Sequence, residues 1–181
     1  LPAGAATVSP LDGGFLLGEG VFETLRSYGC RPFALDEHLA RLGHGATVLD
    51  LAVPSPEVLA TAVGDVIRAN VDLLGGDQRI RITLAAGRGD LPSVCIHCSP
   101  LPERPPAASI LVVPYRRNPA SATAGIKTTS YAENALALRY ARQRRYDEAI
   151  LADTAGNLSE GATSNVFLVR DGQLITPCLS T

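Results

Sequence analysis

Cysteine is scarce in this chain, methionine is missing, and no apolar run approaches the length of a bilayer-spanning helix. The four cysteines, Cys30, Cys95, Cys98 and Cys178, are too few and too scattered for a disulfide framework. Cys95-Ile96-His97-Cys98 has the spacing of half a metal site, yet no second ligand pair stands at matching distance. The segment reads instead as a strand, which sends its two cysteines to opposite faces, so no metal is expected. Neither sign of charge dominates: 16 Lys and Arg stand against 18 Asp and Glu, for a net charge of -2. Nucleic acid and anionic membrane surfaces are therefore not expected partners. Residues 1–7 lack the basic and apolar regions of a signal peptide, which makes the cytoplasm the default location. The missing methionine and the abrupt ending suggest a chain incomplete at both ends.

A hydrophobic fraction of 46% and a charged fraction of 19% belong to a globular protein. The 181 residues suffice for one ordinary domain or two small ones. Glycines punctuate residues 13–20 ahead of an apolar run to residue 27, which reads as a turn followed by a strand. A helix follows Gly29, with Asp36 as its N-cap and Leu39, Leu42, Ala46 and Leu49 as its apolar stripe. That spacing puts His38, Arg41 and Gly45 on another side. Ser55-Pro56-Glu57 announces a second helix by a cap, a proline at the first position and an acid in the first turn. Its apolar face runs through Leu59, Ala62, Val63, Val66 and Ile67.

Residues 79–85 alternate, with Ile80, Ile82 and Leu84 inward and Arg79, Arg81 and Thr83 on the other face. Residues 109–113 read as a buried strand. Residues 114–125, rich in Pro, Arg, Asn, Ser and Ala, read as an interdomain linker, drawn most narrowly at 116–125. This gives an N-terminal domain over 1–115 and a second domain over 126–181. Within the latter, residues 126–129 look strand-like, a helix spans about 132–145, and short strands at 148–152, 165–169 and 174–176 follow. The turns between those strands favour antiparallel pairing.

Lys127 is the one lysine beside 15 arginines. A lysine amine can form a Schiff base when its site holds it partly desolvated, although most lone lysines are solvated surface residues. Glu160 stands among small and hydroxyl residues that let a backbone approach a ligand, although a turn is the commoner use of such a run. Arg41 could hold a phosphate through its fork of donors, where a solvent-facing arginine is the common case.

Taken together, these residues form an ordered set of motifs. Asp12-Gly13-Gly14-Phe15 with Gly18-Glu19-Gly20-Val21-Phe22-Glu23-Thr24-Leu25-Arg26 resembles the opening block of class IV aminotransferases and their lyase relatives. His38-Leu39-Ala40-Arg41-Leu42 resembles the block whose arginine binds the cofactor phosphate. Gly125-Ile126-Lys127-Thr128-Thr129-Ser130-Tyr131 resembles the block with the Schiff-base lysine. Asp147-Glu148-Ala149-Ile150-Leu151 and Leu158-Ser159-Glu160-Gly161-Ala162-Thr163-Ser164-Asn165 resemble the block whose glutamate meets the pyridine nitrogen.

The resemblance implies the two-domain α+β architecture of fold type IV, similar to D-amino-acid aminotransferase. Its parts are a smaller N-terminal α/β domain and a C-terminal mixed α/β-barrel-like domain, incomplete here. It implies pyridoxal 5'-phosphate as cofactor, a small-molecule substrate and a homodimer. Lys127 would be catalytic, and Arg41, Lys127, Glu160, Thr163, Ser164 and Asn165 would bind the cofactor. Phe22, Thr24, Arg79 and Arg81 would face the substrate, with Arg79 or Arg81 meeting a carboxylate; an exposed strand face is the plain alternative for that pair. Family members continue beyond Pro177 with a Gly-Ile-Thr turn that gives further donors to the phosphate. Branched-chain transaminases of this family carry a tyrosine where Ala132 stands, and D-amino-acid transaminases one where Phe22 stands. The pattern is most similar to 4-amino-4-deoxychorismate lyase, with an amino-acid transaminase or a catalytically silent interaction module as alternatives.

Overall fold

A computed structural model describes residues 2–89, 91–103 and 105–178. The chain divides into two compact units: Leu1–Glu103 with Ile126–Ser130, and Arg104–Gly125 with Tyr131–Thr181. These bounds differ from the sequence-based division: residues 109–117 pair inside the second unit, and the short Lys127 segment belongs with the first. Residues 179–181, the end of the expected second domain, lie outside the described residues.

After a 3-10 turn at Ala3–Ala5, the first unit forms a single helical turn, α1 (Gly13–Leu16), capped by Asp12, where sequence suggested only a turn. It leads into β1 (Gly20–Tyr28), which forms an antiparallel sheet in the order β2-β1-β3-β4 with β2 (Arg31–Pro32), β3 (Gln78–Arg88) and β4 (Leu91–Pro100). Alternation sends Val21, Leu25, Ile80, Ile82 and Leu84 to one face. There they pack against Leu39, Leu42 and Ala46 of α2 (Leu35–Val48) and Leu59, Val63 and Ile67 of α3 (Pro56–Leu74). Removing a side chain such as Ile82, which has no exposure, would cost about 2–5 kcal/mol. The opposite face carries Phe22, Thr24, Arg79, Arg81 and Thr83.

Two expectations for α2 are corrected. Its N-cap is Ala34 in a left-handed conformation, and Asp36 lies in the first turn, where a carboxylate favours the helix dipole. Gly45, expected with His38 and Arg41 off the core stripe, is buried against β1; a Cβ there would lie 3.0 Å from Val21 Cγ1. Glycine thus lets the helix approach the sheet. α3 begins as expected, with Ser55 accepting from Val58 N at 3.4 Å and Pro56 at the first position. In β4, Cys98 packs on the core while Cys95 is exposed, the opposite-face placement that a strand requires.

In the second unit, β5 (Ile110–Arg117) runs parallel to β6 (Glu148–Asp153), which pairs antiparallel with β7 (Leu158–Gly161). Val113, Ala149, Leu151 and Ala162 pack with Ala137 and Ala141 of α4 (Ala132–Gln143). The strand read at 109–113 is longer and less buried than expected: Ile110 and Val112 are exposed. β5 is an edge strand, which absorbs Pro114 in an irregularity between Val112 and Arg116, so Arg116 and Arg117 are strand and not linker. Residues 158–161, read as a turn, form β7, and the strand expected at 165–169 begins only at Leu168. The hairpin of β8 (Leu168–Arg170) and β9 (Gln173–Ile175) turns at Asp171 and Gly172, both with positive φ, as tight hairpins favour.

Candidate functional site

Lys127 stands on a segment laid along β1. Val21 and Thr128 form an antiparallel bridge, Phe22 N donates to Lys127 O at 2.9 Å, and Thr129 N donates to Gly20 O at 2.7 Å. The Thr129 and Ser130 hydroxyls both donate to Gly18 O, at 2.9 and 3.0 Å. The segment is extended as expected but meets β1 through an isolated bridge and not a full strand, and these hydrogen bonds hold the backbone that carries the amine. Lys127 Nζ lies 4.5 Å from the centroid of the buried Phe22 ring, and Arg81 Cζ lies 3.7 Å from the same centroid. Two cations thus share one aromatic neighbour. Thr24, beside this group, is opposite Arg81 in the β1–β3 register. Arg79 is not drawn in: it is exposed, opposite Arg26.

On the other face of β1 sits a residue whose role sequence reasoning missed. Glu23 alternates with Val21 and Leu25 and has no solvent exposure, yet it is a carboxylate. Arg41 Nε and Nη2 donate to its two oxygens at 2.5 and 2.6 Å, and His38 Nδ1 lies 2.8 Å from Oε2. Burial pushes this carboxyl up, but Arg41 and His38 outweigh it and hold it below the ordinary carboxylate range. The same pairing holds Arg41 above its ordinary value. The missed signal was the alternation itself: a carboxylate on the apolar face of a strand requires a cationic partner.

In the second unit, Glu160 lies on β7 with Oε1 2.8 Å from Arg117 Nε, an ion pair whose N–H is not aligned for a hydrogen bond. Arg117 Nη1 also reaches Glu133 at 3.4 Å. Thr163 and Ser164 both place their hydroxyls on Glu148 Oε2, at 2.7 and 3.0 Å, and Asn165 is exposed next to them. The turn after Glu160 is fixed at Ala162 O, which accepts from Tyr131 Oη at 3.0 Å and Asn134 Nδ2 at 2.8 Å. Among the described residues no group of His, Cys, Asp or Glu is placed to hold a metal ion. No helix among them is long and apolar enough to cross a membrane.

Lys127 on its extended segment and Arg41 with the buried Glu23 lie in the first unit, and Glu160 on its short strand lies in the second. The amino-transferase class IV family model matches residues 20–181, and the chain belongs to this family, whose members use pyridoxal phosphate. It is 35% identical over 95% of its length to a Methanocaldococcus jannaschii protein named as a branched-chain-amino-acid aminotransferase. It is 33% identical over 97% of its length to an aminodeoxychorismate lyase of Bacillus subtilis. The chain spans 63% and 64% of those two relatives, just under two thirds of their length. Among solved structures, a hypothetical aminotransferase from Mycobacterium tuberculosis, in its form bound to α-ketoglutarate and PMP, superposes with a TM-score of 0.92 at 28% identity. That likeness covers 99% of this chain and 68% of the other, and with the family match it makes the fold that of the fold type IV enzymes.

Proposed function

We propose that the protein is a pyridoxal-phosphate-dependent enzyme acting on a substrate that carries both an amino group and a carboxylate. The observation that carries this reading is the placement of Lys127: its backbone is bonded to β1, and its amine lies on Phe22 beside Arg81. Arg41 commits only one edge to Glu23, and Glu160 keeps 42% of its side chain exposed, which supports a role for each toward the cofactor. In this reading Lys127 Nζ holds the cofactor and afterwards takes and returns a substrate proton. Arg41 holds the phosphate and Glu160 the pyridine nitrogen, while Thr163, Ser164 and Asn165 shape the backbone next to it. Phe22 and Thr24 bound the substrate side, and Arg81, rather than the exposed Arg79, meets the carboxylate. The bound cofactor supplies an electron sink for the carbon next to the substrate nitrogen.

The finer reading is a 4-amino-4-deoxychorismate lyase, releasing 4-aminobenzoate and pyruvate, working as a cytoplasmic homodimer. Its support is the Phe22 ring in the first motif and Ala132 at the start of α4, where transaminases of the family place tyrosines. Amino-acid transamination is the second reading, favoured by the 35% identity to a protein named as an aminotransferase. The full-length protein with pyridoxal phosphate should release 4-aminobenzoate from aminodeoxychorismate. Keto-acid-dependent consumption of leucine or D-alanine without that release would replace the lyase reading by the second. Neither reaction, in protein of verified mass, would leave a silent homologue.

A further inference from the structure

We propose that Glu23 is a positioning residue that acts through Arg41 to make the site select ligands bearing a phosphate. The proposal rests on the reading that Arg41 meets the cofactor phosphate. An arginine side chain has five N–H donors in a rigid fork. Glu23 takes the Nε–H and one Nη2–H, so the guanidinium is held side-on. His38 Nδ1 lies 2.8 Å from Glu23 Oε2 and 3.3 Å from Arg41 Nη2. A nitrogen that donates to the carboxylate cannot also accept from the guanidinium, so the contacts assign the proton to Nδ1 and leave the second Nη2–H uncommitted. The Nη1 hydrogens likewise have no bond among the described residues. What remains is the outer edge, one Nη2–H and one Nη1–H side by side, the arrangement that grips two oxygens of a phosphate.

Glu23 is well placed to impose this orientation. It has no solvent exposure and its neighbours on the same face, Val21, Leu25 and Ile82, are apolar, so no water competes for its oxygens. Arg41 is 54% exposed and, without that anchor, its long side chain would spread over many rotamers. The buried carboxylate therefore does not touch the ligand; it fixes which guanidinium edge the ligand meets.

The test compares binding of pyridoxal phosphate with that of pyridoxal, which lacks only the phosphate, in the full-length protein. Glu23→Gln should weaken pyridoxal phosphate about tenfold or more while changing pyridoxal less than about twofold, the scale of one charge-assisted contact. Arg41→Lys keeps the charge but loses the fork and should reduce the same preference in protein that circular dichroism shows to be folded. Equal weakening of both ligands by Glu23→Gln, or a preserved preference in Arg41→Lys, would overturn the proposal. A wild-type protein that binds both ligands equally overturns it as well, while one that binds neither removes the cofactor reading itself.

Discussion

Glu23, with no exposure, accepts two hydrogen bonds from one edge of Arg41, whose side chain is half in water. The two ends of this pair should not be energetically equal. Arg41→Ala strands a buried carboxylate with His38 as its remaining partner and is expected to cost about 3 kcal/mol, the low end for breaking a buried pair. Glu23→Gln leaves an arginine that can return to solvent and is expected to cost about 1–2 kcal/mol. Urea unfolding of both variants checks the order, and a larger loss for Glu23→Gln would refute it.

Stability should depend on pH through two buried carboxylates. The Ser93 hydroxyl and the Gly14 N–H hold Asp12 below the ordinary carboxylate range against the opposing effect of burial. Glu23 is held low by Arg41 and His38, also against burial. Because both folded-state values are depressed, the stabilisation is complete above the unfolded carboxylate pKa of about 4 and is lost as pH falls through the folded values. Urea midpoints should be flat with respect to these groups down to about pH 5 and drop below about pH 4, less steeply in Glu23→Gln. An equally steep drop in that variant would show that Glu23 contributes nothing to the linkage.

Gly20 controls the segment that carries Lys127. A Cβ at this position would lie 2.7 Å from Leu84 O and 2.8 Å from Thr129 Oγ1. The Leu84 carbonyl belongs to the β-ladder, so the Thr129 side is expected to move. Gly20→Ala should cost about 1–3 kcal/mol and weaken cofactor capture. Gly43→Ala, in open space on α2, is the control and should stabilise by about 0.5–1 kcal/mol. Thermal unfolding and pyridoxal phosphate titration of the two variants separate these outcomes.

Periodic segments were legible in the sequence. Ile80, Ile82 and Leu84 fell inward as alternation requires, and Ser55-Pro56-Glu57 opened α3. Local patterns failed where tertiary context intervened. Ala34 entered α2 through a left-handed residue that no capping rule anticipates, and Pro114 stayed within an edge strand because an edge tolerates a missing donor. β7 was hidden because Ser159, Glu160 and Gly161 have turn-like composition while pairing with β6. Arg41 and Lys127 were singled out through motifs. Glu23 went unnoticed as the buried partner of Arg41, since its partners come from a helix 15 and 18 residues away.

The most direct measurement is to treat the full-length protein with pyridoxal phosphate and borohydride, digest it, and map the reduced adduct by mass. The adduct should lie on the peptide that contains Lys127, and Lys127→Ala should lose both the adduct and the visible absorbance of the bound cofactor. An adduct on another residue, or none in correctly folded protein, would contradict the assignment of Lys127.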